Sequence, residues 1–204
     1  MTVKHERGPW TFSGALDLGF GAFDSTRDVE VGAMQETADG SSNTSNAGLH
    51  FRAAYEIPRG TWYAEPALAI DLNYIRMDNY TETGAGDFDL DVDSADTTVL
   101  TGTPWIKLGR RVDLGGGGTL DAYASVGVSL SAGEDFDITS RFAGAPAGTG
   151  DFTTTLDTPN VVGRLSAGVE LYATDRIQFR LQYDGGFADN QTENAGQIRF
   201  SYFF

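Results

Sequence analysis

Two histidines, His5 and His50, are the only imidazole bases in the 204-residue sequence. His5 lies in a polar N-terminal stretch, whereas His50 lies two residues before Arg52 in an alternating segment. A Ser-His-acid site would require a serine and a carboxylate to converge on His50, and no spacing in the sequence indicates such a site. A hydrogen-bonded structural histidine is the favoured interpretation. We therefore predict no catalytic residue and do not expect an enzyme.

A run of carboxylates is the second group with chemical potential, because hard oxygen ligands of this kind bind calcium. The spacing lacks the glycine and the closing glutamate of a calcium loop, so a solvated, self-repelling surface loop is the favoured interpretation. Its members are Asp87, Asp89, Asp91, Asp93 and Asp96. The glycines at 115–118 precede no helical pattern, so they are expected to form a tight turn and not a phosphate-binding loop. No metal or cofactor is predicted.

Composition excludes several classes of protein. The formal net charge of -15 would repel a phosphate backbone, so nucleic acid is not an expected partner. The absence of cysteine excludes disulfides and thiolate metal sites. No apolar run approaches the ~20 residues of a membrane helix, whereas a membrane β-barrel stays compatible with this mildly polar composition.

Apolar and polar residues alternate along eight segments, which predicts eight β-strands. They span residues 10–22, 49–57, 62–74, 98–112, 120–130, 161–171, 177–187 and 197–204. Short turns at 58–60, 115–118 and 173–176 alternate with long polar links at 24–47, 77–96, 133–158 and 188–196. This alternation predicts an up-and-down antiparallel meander with short turns at one end and long loops at the other, as in outer-membrane barrels.

The two faces of these strands differ in a way that favours a barrel in lipid. The polar face combines small residues with both signs of charge, which suits a confined, wet interior. Its predicted interior charges are Arg52, Glu65, Asp71, Arg164, Glu170, Arg180 and Arg199. On the apolar face, aromatic residues such as Trp10 and Trp62 lie near strand ends, as expected for an interfacial girdle. The alternative is a soluble β-sandwich whose aromatics fill a dry core.

The polar stretch at residues 1–9 is interpreted as a leader or linker remnant, and residues 10–204 as the barrel domain. Residues 1–9 contain no apolar core of the kind a secretory signal carries. If the barrel is exported, the sequence is expected to be a fragment or to have its true start upstream.

Three blocks of sequence resemble the C-terminal translocator β-domain of bacterial autotransporters, the type V secretion barrels. They are Trp62–Ile70 leading to Tyr80–Gly84, Leu120–Val128, and Val162–Glu170. The resemblance extends over residues 10–204 and implies an outer-membrane barrel that anchors and exports an N-terminal passenger. The family's barrel has twelve strands and a pore helix, so the resemblance implies that the eight predicted strands are its last eight. The alternative is a small barrel that closes at eight strands.

The last predicted strand resembles the signal that the barrel assembly machinery reads on its clients. Its alternating apolar residues are Ile198, Phe200, Tyr202 and Phe204. An unpaired final strand offers main-chain hydrogen bonds, and the aromatic side chains set its register. The family often has glycine where this sequence has Arg199. The partners implied are outer-membrane lipid, the assembly machinery and a passenger domain; the alternative is a self-standing small barrel that acts as an adhesin or structural protein.

Overall fold

The computed structural model describes residues 1–146, 150–174, 177–189 and 191–202, with the side chains of 173 and 174 left aside. Apart from a 3-10 turn at Gly86–Phe88, the regular elements are all strands. No described helix is long and apolar enough to cross a bilayer. The strands are β1 (Thr2–Arg7), β2 (Trp10–Val31), β3 (Met34–Tyr55), β4 (Ile57–Arg59), β5 (Trp62–Met77), β6 (Tyr80–Thr81), β7 (Leu90–Val92), β8 (Ala95–Gly115), β9 (Gly118–Gly133), β10 (Phe136–Phe142), β11 (Phe152–Leu156), β12 (Val161–Thr174), β13 (Ile177–Phe187) and β14 (Thr192–Tyr202).

One long antiparallel sheet contains nine of these strands in the order β1-β2-β3-β5-β8-β9-β12-β13-β14, and the short β4 pairs with β5. Strands that follow one another along this path also follow one another in the chain, apart from short elements in the links. The predicted up-and-down meander is therefore confirmed, and each of the eight predicted strands is present. The turn at Gly116 and Gly117, both with positive φ, joins β8 to β9 as predicted.

The path through the large sheet has nine strands, one more than the eight predicted, because residues 2–7, which the sequence pattern places in a polar leader, form β1. This strand pairs in continuous register with the start of β2, from Thr2 opposite Ala15 to Arg7 opposite Trp10. The segment has few apolar residues because it lies at an edge of the sheet and both of its faces are exposed. Because its composition is polar, the segment lacks the apolar alternation by which the other strands are predicted.

The link at 24–47 also differs from the prediction, because most of it is strand and not loop. Strands β2 and β3 continue as one hairpin to a turn at Gly32, which adopts a positive φ of 65°. The polar side chains of this extension do not prevent pairing, since a ladder uses main-chain groups. Near its tip, Val29 and Ala38 pack against Ala85 from the next link.

A second, four-stranded sheet in the order β11-β10-β7-β6 is built from the links at 78–94 and 134–160. Its apolar residues Val92, Leu90, Phe136 and Ile138 pack in one cluster with Met77 at the end of β5. We call this sheet, together with the β2–β3 extension, the head. The links on this side of the molecule therefore form an ordered layer with a small core of its own.

The acidic run belongs to the head, and its interpretation as a solvated loop fails for Asp89 and Asp91 but agrees with the exposure of Asp87, Asp93 and Asp96. Asp89 is buried and accepts a hydrogen bond from the main-chain nitrogen of Ala85 at 2.8 Å. Asp91 accepts from the Thr81 hydroxyl at 2.8 Å and pairs with Arg141 at 3.4 Å. Local donors compensate these carboxylates, which allows the segment to fold despite its charge.

The large sheet is apolar on its outward face and polar on the face that it curls around. Four leucines lie directly opposite one another on adjacent strands β2, β3, β5 and β8, and 41–57% of each is exposed. This leucine belt comprises Leu16, Leu49, Leu72 and Leu100. Among the described residues no large side chain is fully buried. The sheet therefore has no dry apolar centre, which contradicts the soluble-sandwich alternative.

Within the head, an ion pair with a buried carboxylate joins the β2–β3 extension to the segment that follows β6. Arg27 of β2 donates to both carboxylate oxygens of Glu82, at 3.3 and 2.5 Å, and to the main-chain oxygen of Phe88 at 2.8 Å. Glu82 also accepts from the main-chain nitrogen of Leu90 at 3.0 Å, and its side chain is only 3% exposed. The hydrogen bond to Glu82 raises the pKa of Arg27.

Substitution of Arg27→Ala is expected to loosen the head, because it leaves the Glu82 carboxylate buried without its cation. We expect a local loss of about 2 kcal/mol, measured as faster amide hydrogen exchange in β6 and β7. The matched control is Arg76→Ala, whose pair with Asp78 is exposed at both side chains, and which should cost about 0.5 kcal/mol or less. Equal acceleration in both variants would contradict this assignment.

Candidate functional site

The concave face of the sheet encloses a cavity of about 700 Å³. Its lining runs from Lys4 on β1, at one edge of the sheet, to Glu193 on β14, at the other. Both edge strands thus face the same space, because the sheet curls along its whole width. Most of the side chains that point into this space are charged or carry hydroxyl or amide groups.

At the short-turn end of the cavity, a buried tyrosine anchors a charge network. The Tyr63 hydroxyl donates to the two carboxylate oxygens of Asp121, at 3.0 and 3.2 Å. Arg111 also pairs with Asp121, at 3.2 Å, and makes two parallel hydrogen bonds to Glu56 at 2.9 and 2.7 Å. The Arg111 guanidinium lies 4.3 Å from the centre of the Tyr63 ring. A paired, stacked arginine of this kind holds β3, β5, β8 and β9 at a fixed spacing.

A glycine allows the Tyr63 side chain to lie flat along the wall. A Cβ atom placed on Gly109 of β8 would lie 2.3 Å from Cζ of Tyr63. The same arrangement recurs two strands away, where a Cβ on Gly168 would lie 2.6 Å from Cζ of Tyr123. The Tyr123 hydroxyl donates to Oε1 of Gln182 at 2.8 Å. Each tyrosine therefore crosses a glycine on the next strand to reach a polar partner further along the wall.

Two predicted interior charges, Arg52 and Glu65, form a second network. Arg52 donates to Oε1 of Glu65 at 3.0 Å, and Lys107 lies 2.9 Å from the same oxygen. The Arg52 guanidinium also stacks over the Trp105 ring, 4.7 Å from its centre. One carboxylate thus compensates two cations near the middle of the cavity.

A third network includes Glu170 and Arg180. Arg180 donates to Oε1 of Glu170 at 3.2 and 2.7 Å, and Gln178 donates to the same oxygen. Two of the predicted interior residues, Arg180 and Arg199, lie directly opposite each other on β13 and β14. They belong to a row of charges in register across five strands: Arg111, Asp121, Glu170, Arg180 and Arg199.

The remaining predicted interior residues also lie on the concave side. Arg164 pairs with Glu193 at 2.8 Å and donates to the Ser129 hydroxyl at 3.1 Å. Asp71 accepts from the His50 ring, whose Nδ1 lies 2.7 Å from Oδ1. The other ring nitrogen lies 2.6 Å from Oδ1 of Asp17. Both ring nitrogens therefore face carboxylates, and neither is free to accept a proton from a serine hydroxyl.

The C-terminal residues predicted as an assembly signal lie on the opposite face. Ile198 and Phe200 of β14 are outward and among the most exposed apolar side chains, at 72% and 66%. Tyr202 follows on the same face, opposite Ile177. Phe204 lies outside the described residues.

Several members of the networks were not predicted, namely Tyr63, Lys107 and Arg111. Tyr63 has the period-two phase of Glu65 on β5, and Lys107 and Arg111 have the phase opposite to that of Leu108 on β8, so counting parity along both strands would have identified them. Their partners are fixed by strand register, which local alternation does not reveal. Among the described residues no group of histidines and carboxylates has the arrangement of a metal site. The arrangement suits a mechanically stiff, self-compensated wall.

The family model described as the autotransporter beta-domain matches residues 2–184. The chain belongs to this family. The match begins at β1 and extends into β13, so it covers most of the large sheet and all of the head. No curated protein sequence matches this autotransporter β-domain.

Two solved structures share its fold. The crystal structure of the β-domain of the Bordetella autotransporter BrkA has a TM-score of 0.65 and 19% identity, and the alignment covers 97% of this chain and 68% of that one. The translocator domain of the autotransporter NalP from Neisseria meningitidis has a TM-score of 0.65 and 18% identity, with coverage of 100% and 63%. This autotransporter β-domain thus spans about two thirds of each neighbour.

Substitution of Gly109→Ala is expected to destabilise the barrel wall, since the added methyl group would displace the Tyr63 ring from its bond to Asp121. We expect the free energy of unfolding to fall by about 1–3 kcal/mol, measured by denaturant titration of the folded protein in detergent. Gly102→Ala on the same strand is the control, because a Cβ there meets no atom within 4 Å. Similar losses for the two variants would contradict the proposed role of the glycine.

Proposed function

We propose that this β-domain is the translocator and anchor of an autotransporter in the bacterial outer membrane, where it supports export and surface display of an N-terminal passenger. The observation that carries the proposal is the inverted distribution of side chains. The leucine belt is exposed on the outward face, while the charge networks are enclosed on the concave face. Membership of the autotransporter β-domain family supports the same role.

The outward face has the chemistry that a bilayer requires. Leucines form its central band, and Trp10, Tyr55 and Trp62 lie at the short-turn end, where aromatic side chains meet the membrane interface. With the short turns on the periplasmic side, the head lies outside the cell, in the position of the long loops of outer-membrane barrels. The lipid of the outer membrane is thus a proposed partner of the outward face.

The two edge strands of the large sheet, β1 and β14, limit how the sheet can lie in a membrane. Within the part of the chain that the structure describes, no pairing joins β1 to β14. Hydrocarbon does not tolerate unpaired main-chain groups, so both edges must be paired when the sheet is in the membrane. We propose that additional strands complete the wall, as in the twelve-stranded barrel that the family resemblance implies. Nine strands in an open sheet do not support the alternative of a barrel that closes at eight.

A second candidate is a barrel protein that acts mainly as an adhesin or structural protein through its head. The ordered four-stranded sheet with its own apolar cluster favours this candidate. The two functions can be separated experimentally. A translocator displays a passenger at the cell surface, whereas an adhesin or structural protein that acts through its head needs no passenger. The interior networks serve both, since each requires a stiff wall.

The proposal is tested in bacteria that produce the natural full-length protein. The folded protein should migrate differently from the boiled protein on a denaturing gel, and external protease should remove a passenger from intact cells. A protein that fractionates with the membrane and shows no passenger at the surface would favour the adhesin candidate. A protein that stays in the soluble fraction without detergent would refute both.

We also propose that β14 carries the signal read by the barrel assembly machinery. Combined Phe200→Ser and Tyr202→Ser substitutions should reduce the amount of folded protein in the outer membrane severalfold, because the strand loses the side chains that would set register during β-augmentation. Combined Phe142→Ser and Phe152→Ser substitutions in the head are the control, since they remove two aromatic residues that are also exposed. Quantitative immunoblotting of membrane fractions provides the measurement, and an equal loss in both double variants would count against the signal.

A further inference from the structure

The outward face carries a row of cations around Trp62 at its short-turn end. Arg59 of β4 lies directly opposite Trp62, and Trp62 lies directly opposite Arg110 of β8. The Arg110 guanidinium lies over the indole ring, 5.5 Å from its centre. Neighbouring strands are about 4.8 Å apart, which brings the two arginines to within about 10 Å of each other across the tryptophan.

These arginines differ from those of the concave face in their partners. Arg52, Arg111, Arg164 and Arg180 each pair with a carboxylate. Within the described ranges no ion pair compensates Arg59 or Arg110, and both side chains are exposed. A guanidinium at the edge of an apolar band is complementary to a phosphate group, which it binds with two parallel hydrogen bonds.

A shallow apolar depression of about 750 Å³ lies beside this row. Its floor is formed by three small residues on β9 and β12: Ala122, Ala124 and Ala167. Trp62 and Leu108 form one wall, and Leu181 and Tyr183 form the other. Leu108 and Tyr183 lie three strands apart in register, so the walls are about 14 Å apart. We call this feature the alanine depression.

We propose that the outward face binds an anionic glycerophospholipid, with its phosphate held by Arg59 and Arg110 and an acyl chain in the alanine depression. Trp62 belongs to both parts, since it lines the depression and lies between the arginines. The chemistry fits a lipid better than a protein partner, because the depression is shallow and apolar and lies on the outward face, while the cations lie at the interface end. The inference rests on the membrane placement proposed above.

The test uses native mass spectrometry of the natural full-length protein, delipidated in detergent and titrated with phosphatidylglycerol or with phosphatidylcholine of the same chains. Both lipids carry the phosphate, but the choline ammonium of phosphatidylcholine repels the two arginines, so we expect the dissociation constant for phosphatidylglycerol to be about tenfold lower. Combined Arg59→Gln and Arg110→Gln substitutions should abolish this preference. Combined Arg76→Gln and Arg141→Gln substitutions remove the same charge at the head end and should preserve it.

A second variant tests the acyl part of the site. Ala124→Phe fills the depression and should weaken binding of both lipids about tenfold, whereas Ala53→Phe, on the outward phase of β3, should leave binding unchanged. This variant keeps both arginines, so it also tests the site if the double arginine variant fails to fold. Each variant is first checked for the heat-modifiable mobility of a folded barrel.

Specific outcomes would overturn the inference. Equal affinity of the unaltered protein for the two lipids would exclude recognition of the anionic headgroup, and competition by inorganic phosphate at the lipid's own concentration would indicate an ion site without an acyl component. A shift in protein oligomer mass in place of bound lipid would indicate a protein interface. A folded protein without lipid preference refutes this site alone, whereas failure to fold in any detergent or bilayer refutes the proposed function.

Discussion

Continuous antiparallel pairing determines which way every side chain of the large sheet points, and the rest of the molecule depends on that constraint. Main-chain hydrogen bonds hold nine long strands in register, so residues two apart share a face along the whole sheet. A one-residue slip of any strand would move its leucines into the cavity and its charges to the outward face. Register therefore determines the chemical identity of both surfaces at once.

The concave face shows how a curled wall accommodates charge. Carboxylates and cations lie opposite or diagonal to one another, so Glu65 serves two cations and Asp121 serves both an arginine and a tyrosine. Cross-strand pairs of opposite charge stabilise a sheet, and like charges directly opposite destabilise it. The row ends with two like charges in register: Arg180 pairs with Glu170, and Arg199 lies directly opposite Arg180 on the last strand.

The head accommodates its charged residues differently from the concave face of the large sheet. Its sheet is small, its apolar cluster is modest, and its charges are mostly acidic, so it depends on specific hydrogen bonds to a degree that the large sheet does not. Arg27 connects the β2–β3 extension to Glu82 and to the turn at Phe88, and the Asp89 carboxylate, which follows that turn, accepts a hydrogen bond from the main-chain nitrogen of Ala85 before it. The head therefore presents a surface of its own at the long-link end of the large sheet.

Alternation in the sequence by itself determined the eight main strands, the meander, the identity of the two faces and most of the charges inside. Period two is a local property, so the apolar phase of each strand can be assigned before its partner strand is known. Leu16, Leu49 and Leu72 were placed on the apolar face in this way. Only the tertiary structure decided which residues meet. The pairing of polar residues 2–7 with β2, the continuation of β2 and β3 through a polar link, and the capture of Asp89 within the head all depend on partners distant in the chain. The contact of Tyr63 with Asp121 across Gly109 likewise requires the register of three strands, because cross-strand neighbours are set by hydrogen-bond pairing and not by spacing along one strand.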